Sequence, residues 1–429
     1  MTLVLVVLFG LMLLGIPVAF AILSAGMAYL ATTGGSMLVV AQRLIYGLNS
    51  FTLLAVPLFI LVGNLMDFGG ISKRLTDWAK SILGWLPGGL GIVTVFSCAI
   101  FAALTGSGPA TVAAIGSIML PSMLKAGYSR ETSAGLVASA GALGPIIPPS
   151  IPMIIYGVTM NLSIPAMFMA GVVPGLVIAL ALSLVNVVFA YRNSEVLKHA
   201  KTMKFDFKES MKLFWKALGA LGLPVLILGG IYGGIFTPTE SAAVGIVYAL
   251  ILGFALKELK VKDLPKILIN SLKTSTMVNF IIAAASLFSW VVSKSQIGTA
   301  ISNAFISFVG GSQALYLFVL VVVLLIVGCL MDNVAATLIL APILIPVGIA
   351  LGCNELHIGM LFCICLVVGF VTPPFGYNLF TAVSISGLNF KQIVKGALPF
   401  LLTEILLLFV FAYVPGIITW LPRLMGYGY

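Results

Sequence analysis

The chain has 429 residues, enough for two or three soluble domains, but 61% of them are hydrophobic and only 8% charged, against roughly 25% charged in an ordinary globular protein. With 22 Lys and Arg against 12 Asp and Glu it cannot coat a soluble surface of that size, and its 45 glycines and 21 prolines suit membrane helices. The net charge of +10 comes from basic residues flanking apolar runs rather than from a basic face, which predicts an all-α polytopic membrane protein in a lipid bilayer and excludes nucleic acid as a partner.

A span needs about 20 predominantly apolar residues. Residues 2–33 come first, without the basic segment of a cleaved signal peptide, so they read as the first mature membrane segment. They form one long helix kinked at Pro17 or two short spans. A span at 51–69 is followed by ISKRLTDWAKSILG (71–84), amphipathic and too polar to cross. It is an arm helix at the interface or a plain cytoplasmic connector. Residues 92–124 are apolar but broken midway by Thr105-Gly106-Ser107-Gly108-Pro109. Each flank is marginal for a crossing at about 1.5 Å rise per residue, which fits a re-entrant helical hairpin with a polar tip. Spans follow at 131–160, 165–191, 217–235 and 239–257, with Thr237-Pro-Thr-Glu240 as a capping box before the last. A second polar amphipathic stretch, 257–273, reads likewise as an interfacial helix or a plain cytoplasmic connector, and precedes a span at 275–293. A second broken hairpin, 312–351, is interrupted at Met331-Asp332-Asn333, and spans at 358–386 and 397–417 close the chain.

With each hairpin entering and leaving on one side, 19 of the 22 basic residues fall in the cytoplasm, leaving Arg43, Lys294 and Arg423 outside. Through-going pairs of spans would give the same parity. The cysteines Cys98, Cys329, Cys353, Cys363 and Cys365 are odd in number and lie mostly in apolar runs. They read as small core residues without a disulfide or metal framework. His199 and His357 suggest no catalysis, and no paired nucleophile and base points to an enzyme.

The two halves of the chain resemble each other. Pro121 recurs as Pro346, Gly127 as Gly352, Gly144 as Gly369, Pro148-Pro149 as Pro373-Pro374, Gly171 as Gly396 and Pro174 as Pro399, all at an offset of 225. Ala110-Thr111 faces Ala336-Thr337 at 226. The topology sends 131–160 outward and 358–386 inward, so 1–216 and 217–429 are inverted repeats. Hairpin 92–124 then enters from the cytoplasm and hairpin 312–351 from the periplasm. Secondary transporters are built this way, with sites near the midplane on discontinuous helices.

Each half supplies a hairpin tip and a broken span: TGSGPAT (105–111) with GPIIPPS (144–150), and MDNVAAT (331–337) with GFVTPPFG (369–376). Proline removes amide donors, leaving carbonyls that persist in hydrocarbon only against protein, water or an ion. A sodium ion fits such carbonyls together with hydroxyl, amide or carboxylate oxygens. Two sodium sites follow: Thr105, Ser107, Gly144, Ile147 and Pro149 in the first half, and Met331, Asp332, Asn333, Gly369, Thr372 and Pro374 in the second. Asp332 is an intramembrane carboxylate and equally a helix N-cap, two compatible roles. Glu404, Glu131 and Asp67 have no identifiable partner in the sequence. No Lys or Arg lies at the centre of a span, so an anionic substrate would rely on helix N-termini, bound sodium and polar groups near the breaks. Those groups are Ser107, Ser150, Asn333, Asn378 and Thr381.

VPLFILVGNLMDFGGIS (56–72), the tip and Pro-Pro motifs, GGIFTPTESAAVG (233–245), DNVAATLILAPILIP (332–346) and GALPFL (396–401) together resemble the large membrane subunit of tripartite ATP-independent periplasmic (TRAP) transporters over nearly the whole chain. The resemblance implies an elevator carrier of ion-transporter-superfamily type in the bacterial inner membrane. Scaffold and moving transport domains would interleave both repeats, with the hairpins on the moving part. It further implies sodium-driven uptake of an organic anion bearing a carboxylate, a periplasmic substrate-binding protein that delivers it, and a small four-helix membrane subunit. Overall likeness sides with the sialic-acid branch, with the C4-dicarboxylate branch as the alternative. An ion channel with a re-entrant filter is the alternative of another class. Saturable sodium-dependent uptake distinguishes the carrier from ohmic currents.

Overall fold

Prolines and glycines divide the apolar sequence into short helices, and Ser, Thr, Asn and Asp start many of them. The computed structural model describes residues 2–295 and 297–428. The first half carries α1 (Thr2–Leu13), α2 (Val18–Thr33), α3 (Leu38–Leu48), α4 (Ala55–Phe68), α5 (Ile71–Leu83), α6 (Gly89–Thr105), α7 (Gly108–Lys125), α8 (Arg130–Ala140), α9 (Ile151–Met160) and α10 (Ile164–Tyr191). After α11 (Ser194–Thr202) and α12 (Phe207–Tyr232) come α13 (Pro238–Ala255), α14 (Leu264–Lys294), α15 (Ile297–Val309), α16 (Gln313–Leu330), α17 (Asn333–Ala350), α18 (Glu355–Gly369), α19 (Tyr377–Ser386), α20 (Phe390–Tyr413) and α21 (Gly416–Leu424). No strand occurs among the described residues, and eight of their helical segments are long and apolar enough to cross a membrane.

Side-chain caps set several boundaries. Ser129, Ser163, Asn354 and Asn389 each accept a backbone N–H at the start of their helix, satisfying donors that have no partner within the helix. Thr237 and Glu240 form the reciprocal capping box their spacing predicts. Residues 2–33 resolve into two helices packed on each other. Gly15 adopts a left-handed φ of +80° and Pro17 has no N–H, so the chain turns rather than kinks.

Helix boundaries recur at the spacing of the sequence repeat. α7 and α17 begin and end 225 residues apart, while α9 and α19 differ by 226 at both ends, as do α5 and α15. The counterpart of α5 is therefore α15. The stretch 257–273 is not an interfacial helix of its own: from Leu264 it forms the first turns of α14, which continues to Lys294. After Pro265 that segment contains no Gly or Pro, so nothing in it ends the helix. The division at 216/217 falls inside α12, which starts ten residues before the predicted span.

The two halves interlock. α8 and α20 cross at Gly135 and Gly396, where an added methyl group would overlap the opposing backbone, including the Glu131 carbonyl. Small residues allow membrane helices this close approach. All five cysteines are free and buried.

Candidate functional site

All four interruptions read from the sequence are real breaks. At the first tip α6 ends on Gly106, left-handed at φ 59°, and α7 starts after Ser107 with Pro109 in its first turn. At the second, α16 gives way to α17 through Met331 and Asp332. The broken spans separate at 144–150 and 370–376, and both Pro148-Pro149 and Pro373-Pro374 bonds are cis.

The first tip sits directly on the first break. A methyl group on Gly106 would lie 2.8 Å from the Pro149 carbonyl oxygen. One on Gly144 would meet the Ser107 carbonyl and, at 2.9 Å, the Thr111 hydroxyl. Thr105 Oγ1 lies 3.2 Å from Thr111 Oγ1, and Thr111 donates to the Ser107 carbonyl at 2.8 Å. Ser107, Gly144 and Thr105 thus converge with a residue outside the predicted set, Thr111. Among the described residues no backbone N–H reaches the carbonyls of Gly144, Ile147 or Pro149; for Gly144 the residue four ahead is Pro148, which has none to give. The Ser107 carbonyl already accepts two bonds, from Thr111 N and Thr111 Oγ1.

At the second site Asp332 caps α17, accepting Val334 N–H at 2.8 Å. Its role as an N-cap is therefore realised, on a helix that begins at Asn333. Asn333 is buried, and neither its Oδ1 nor its Nδ2 has a partner among the described residues. The buried Thr337 hydroxyl is likewise unpartnered. Gly369 packs against the backbone of Gly328, and its carbonyl accepts Thr372 N–H at 3.0 Å. The Thr372 and Pro374 carbonyls accept no backbone bond among the described residues. Thr111 and Thr337 occupy corresponding positions in the repeat, which is the signal in the sequence that marks them as a pair.

A cavity of about 420 Å³ joins the two tips. Thr105–Ala110 and Asp332–Val334 line it from the hairpins, Pro145, Ile151 and Pro152 from the first break, and Phe370 and Tyr377 from the second. Asn64, Asp67 and Thr274 face it from α4 and α14. Of the predicted substrate groups, Ser107 and Asn333 line this cavity, and Ser150, Asn378 and Thr381 do not. Ser150 is buried, capping α9 and donating to the Pro145 carbonyl. Asn378 is buried against the first half, donating to the Ala138 carbonyl at 3.0 Å. Thr381 bonds within its own helix, to Tyr377 O at 3.0 Å.

Asp67 and Asp332 line the cavity, and no Lys or Arg does. Asp67, partnerless in the sequence, accepts Ser72 Oγ at 3.4 Å. Glu404 is fully buried on α20, both oxygens unpartnered among the described residues. Outside the membrane segments, the Lys80 ammonium on α5 is pushed below its usual range by burial. It donates to Ser122 Oγ at 3.1 Å, tying α5 to the first hairpin.

A family model described as "Tripartite ATP-independent periplasmic transporter, DctM component" matches residues 5–417. The C4-dicarboxylate TRAP transporter large permease protein DctM of Pseudomonas aeruginosa is 39% identical over 405 residues, covering 94% of each chain. The isethionate TRAP transporter permease protein DctMQ of Oleidesulfovibrio alaskensis is also 39% identical, over 411 residues; the match spans 95% of this chain but 64% of that longer protein. The sialic acid TRAP transporter large permease protein SiaM of Vibrio cholerae is 34% identical over 422 residues, 98% of each. Among solved structures, the YdaH transporter of Alcanivorax borkumensis shares the fold at a TM-score of 0.60 and 14% identity, covering 94% of this chain and 89% of that one. The chain is thus a multi-pass permease of the inner membrane and not an enzyme. It belongs to the DctM family, the large permease component of the tripartite ATP-independent periplasmic transporters.

Proposed function

We propose that this permease drives uptake of a small carboxylate-bearing organic anion with sodium, binding the anion in the cavity between the tips and sodium at the two tip-and-break pairs. The carrying observation is the charge of that cavity: two aspartates and no basic side chain line it. An anion entering a low-dielectric space beside carboxylates needs cations there. Carbonyls without donors and the unpartnered Asn333 amide support sodium as that cation. It is cargo, bound and released with the substrate. The N-termini of α7 and α17 face the same cavity and supply positive dipole ends for the carboxylate.

Inverted orientation of the halves, hairpins ending within the membrane and elevator movement of the tips against α4 and α14 complete the reading. The recurring helix boundaries support a repeat, and its inversion rests on the distribution of basic residues. A periplasmic binding protein and a small membrane subunit are the proposed partners. The DctMQ designation of a longer relative supports the small subunit. Relatives named for C4-dicarboxylate, isethionate, 2,3-diketo-L-gulonate and sialic acid support the organic-anion class. They do not favour the sialic-acid branch, since SiaM is 34% identical against 39% for DctM.

Uptake into proteoliposomes holding this permease, its small subunit and candidate binding proteins tests the reading, with C4-dicarboxylates and sialic acid in the panel. Saturable accumulation with an inward sodium gradient is the expected result. Equal accumulation with potassium, or unsaturable currents, would overturn it.

A further inference from the structure

The cavity between the tips does not end at its aspartate wall. Asp67, at the end of α4, and Ala113, on α7, line it. The same two residues line a second cavity of about 260 Å³, which runs between the start of α5 and the open face of α7 past Ser72, Ala114 and Ser117 to Lys73. Lys73 is exposed and belongs to the basic cluster whose placement puts it on the cytoplasmic side. The opposite face of α7, with Val112, Ile115 and Met119, is buried in the core. Ala113, Ala114 and Ser117 therefore bound the crevice, and their size keeps it open. Lys80, bonded to Ser122 farther along α7, stands outside the crevice lining and holds α5 beside α7.

We propose that Asp67 and Ala113 form the neck of an aqueous path by which the site empties to the cytoplasmic surface, with Lys73 at its mouth. The proposal rests on reading the cavity between the tips as the transport site. Potential orders the path. A carboxylate at the neck passes cations readily and opposes a bare anion, while the ammonium beyond it draws an anion outward. Asp67 is held by a single long bond from Ser72, which leaves its remaining oxygen lone pairs for water or a passing ion.

All five native cysteines are buried, so one introduced thiol can report on the crevice. In membrane vesicles of either orientation, Ser117→Cys should react with a membrane-impermeant maleimide from the cytoplasmic face, and modification should slow uptake. Ala113→Cys serves the same purpose if that variant does not insert. Reaction from the periplasmic face alone, or unchanged uptake after complete modification, would overturn the path. A second variant, Ala113→Phe, should lower the maximal uptake rate by about tenfold, equivalent to about 1.4 kcal/mol, with sodium binding kept within about twofold. Loss of sodium binding in that variant would move Ala113 into the ion site and also overturn the neck. Failure of the wider reading looks different: the parent protein would then take up substrate without sodium while Ser117→Cys still reacted from the cytoplasm.

Discussion

The two broken spans follow one sequence plan and differ in how they are closed. Between Gly144 and Ser150 all residues except the half-buried Ile147 are buried, and the first hairpin tip presses on the gap through Gly106. In the second break Phe375 is 53% exposed, Tyr377 at the start of α19 is 44% exposed, and Gly369 just before the break packs against the α16 backbone. The tips differ too: hydroxyls at Thr105 and Ser107 in the first, a carboxylate at Asp332 in the second. Local chemistry, proline and glycine at matched positions, fixes where helices stop. Contact with neighbouring elements then decides how tightly each gap is sealed, and the proposed alternating access calls for such unequal states in the two halves.

The largest expected effect comes from breaking the closed pair. Gly106→Val places a side chain at φ 59° and against the Pro149 carbonyl. Backbone strain of about 1–3 kcal/mol makes uptake about fivefold to 150-fold slower by the conversion of 1.4 kcal/mol per decade, while the protein still inserts. Gly387→Asn is the control: also left-handed, at φ 68°, but with open space around it, it should stay within about twofold of the parent, since Asn tolerates that conformation. Normal uptake by Gly106→Val would show that the first break need not be sealed.

Charge separates the tips next. Asp332→Ala removes both a carboxylate and an N-cap. It should raise the sodium concentration for half-maximal uptake about tenfold to 150-fold, as expected for loss of a charge-assisted contact of about 1.5–3 kcal/mol. Thr105→Ala removes a neutral hydroxyl and should raise it about twofold to fivefold, for a contact of about 0.5–1 kcal/mol. Equal shifts in the two variants would erase the distinction between the sites. The smallest effect lies away from both: Thr237→Ala breaks the α13 capping box, costing about 1 kcal/mol of stability, readable as a lower Tm with sodium dependence unchanged.

Much of this was legible because Gly, Pro, Asp and Asn act locally. The breaks at 144–150 and 369–376 and the capping box at Thr237 needed only residue chemistry and spacing, and the four interruptions fell where the repeat put them. What escaped the sequence depends on tertiary neighbours. Asn378 sits beside a break and looks available to substrate, yet folding turns its amide onto the Ala138 carbonyl of the other half. Thr111 looks like an ordinary helix residue until Gly144 is brought against its hydroxyl. The run 257–273 is polar enough for an arm helix, but polarity does not end a helix, and α14 continues through it. Asp67 had no partner in the sequence because its surroundings come from α5, α7 and α17, which follow it in the chain.

The count of sodium ions held by the purified permease tests the central claim most directly, measured by equilibrium binding of radiolabelled sodium. Two saturable ions per chain are predicted, one weakened by Thr105→Ala and the other by Asp332→Ala, each leaving its counterpart intact. Absence of saturable binding, or binding untouched by either substitution, would contradict cation pockets at the tips and breaks.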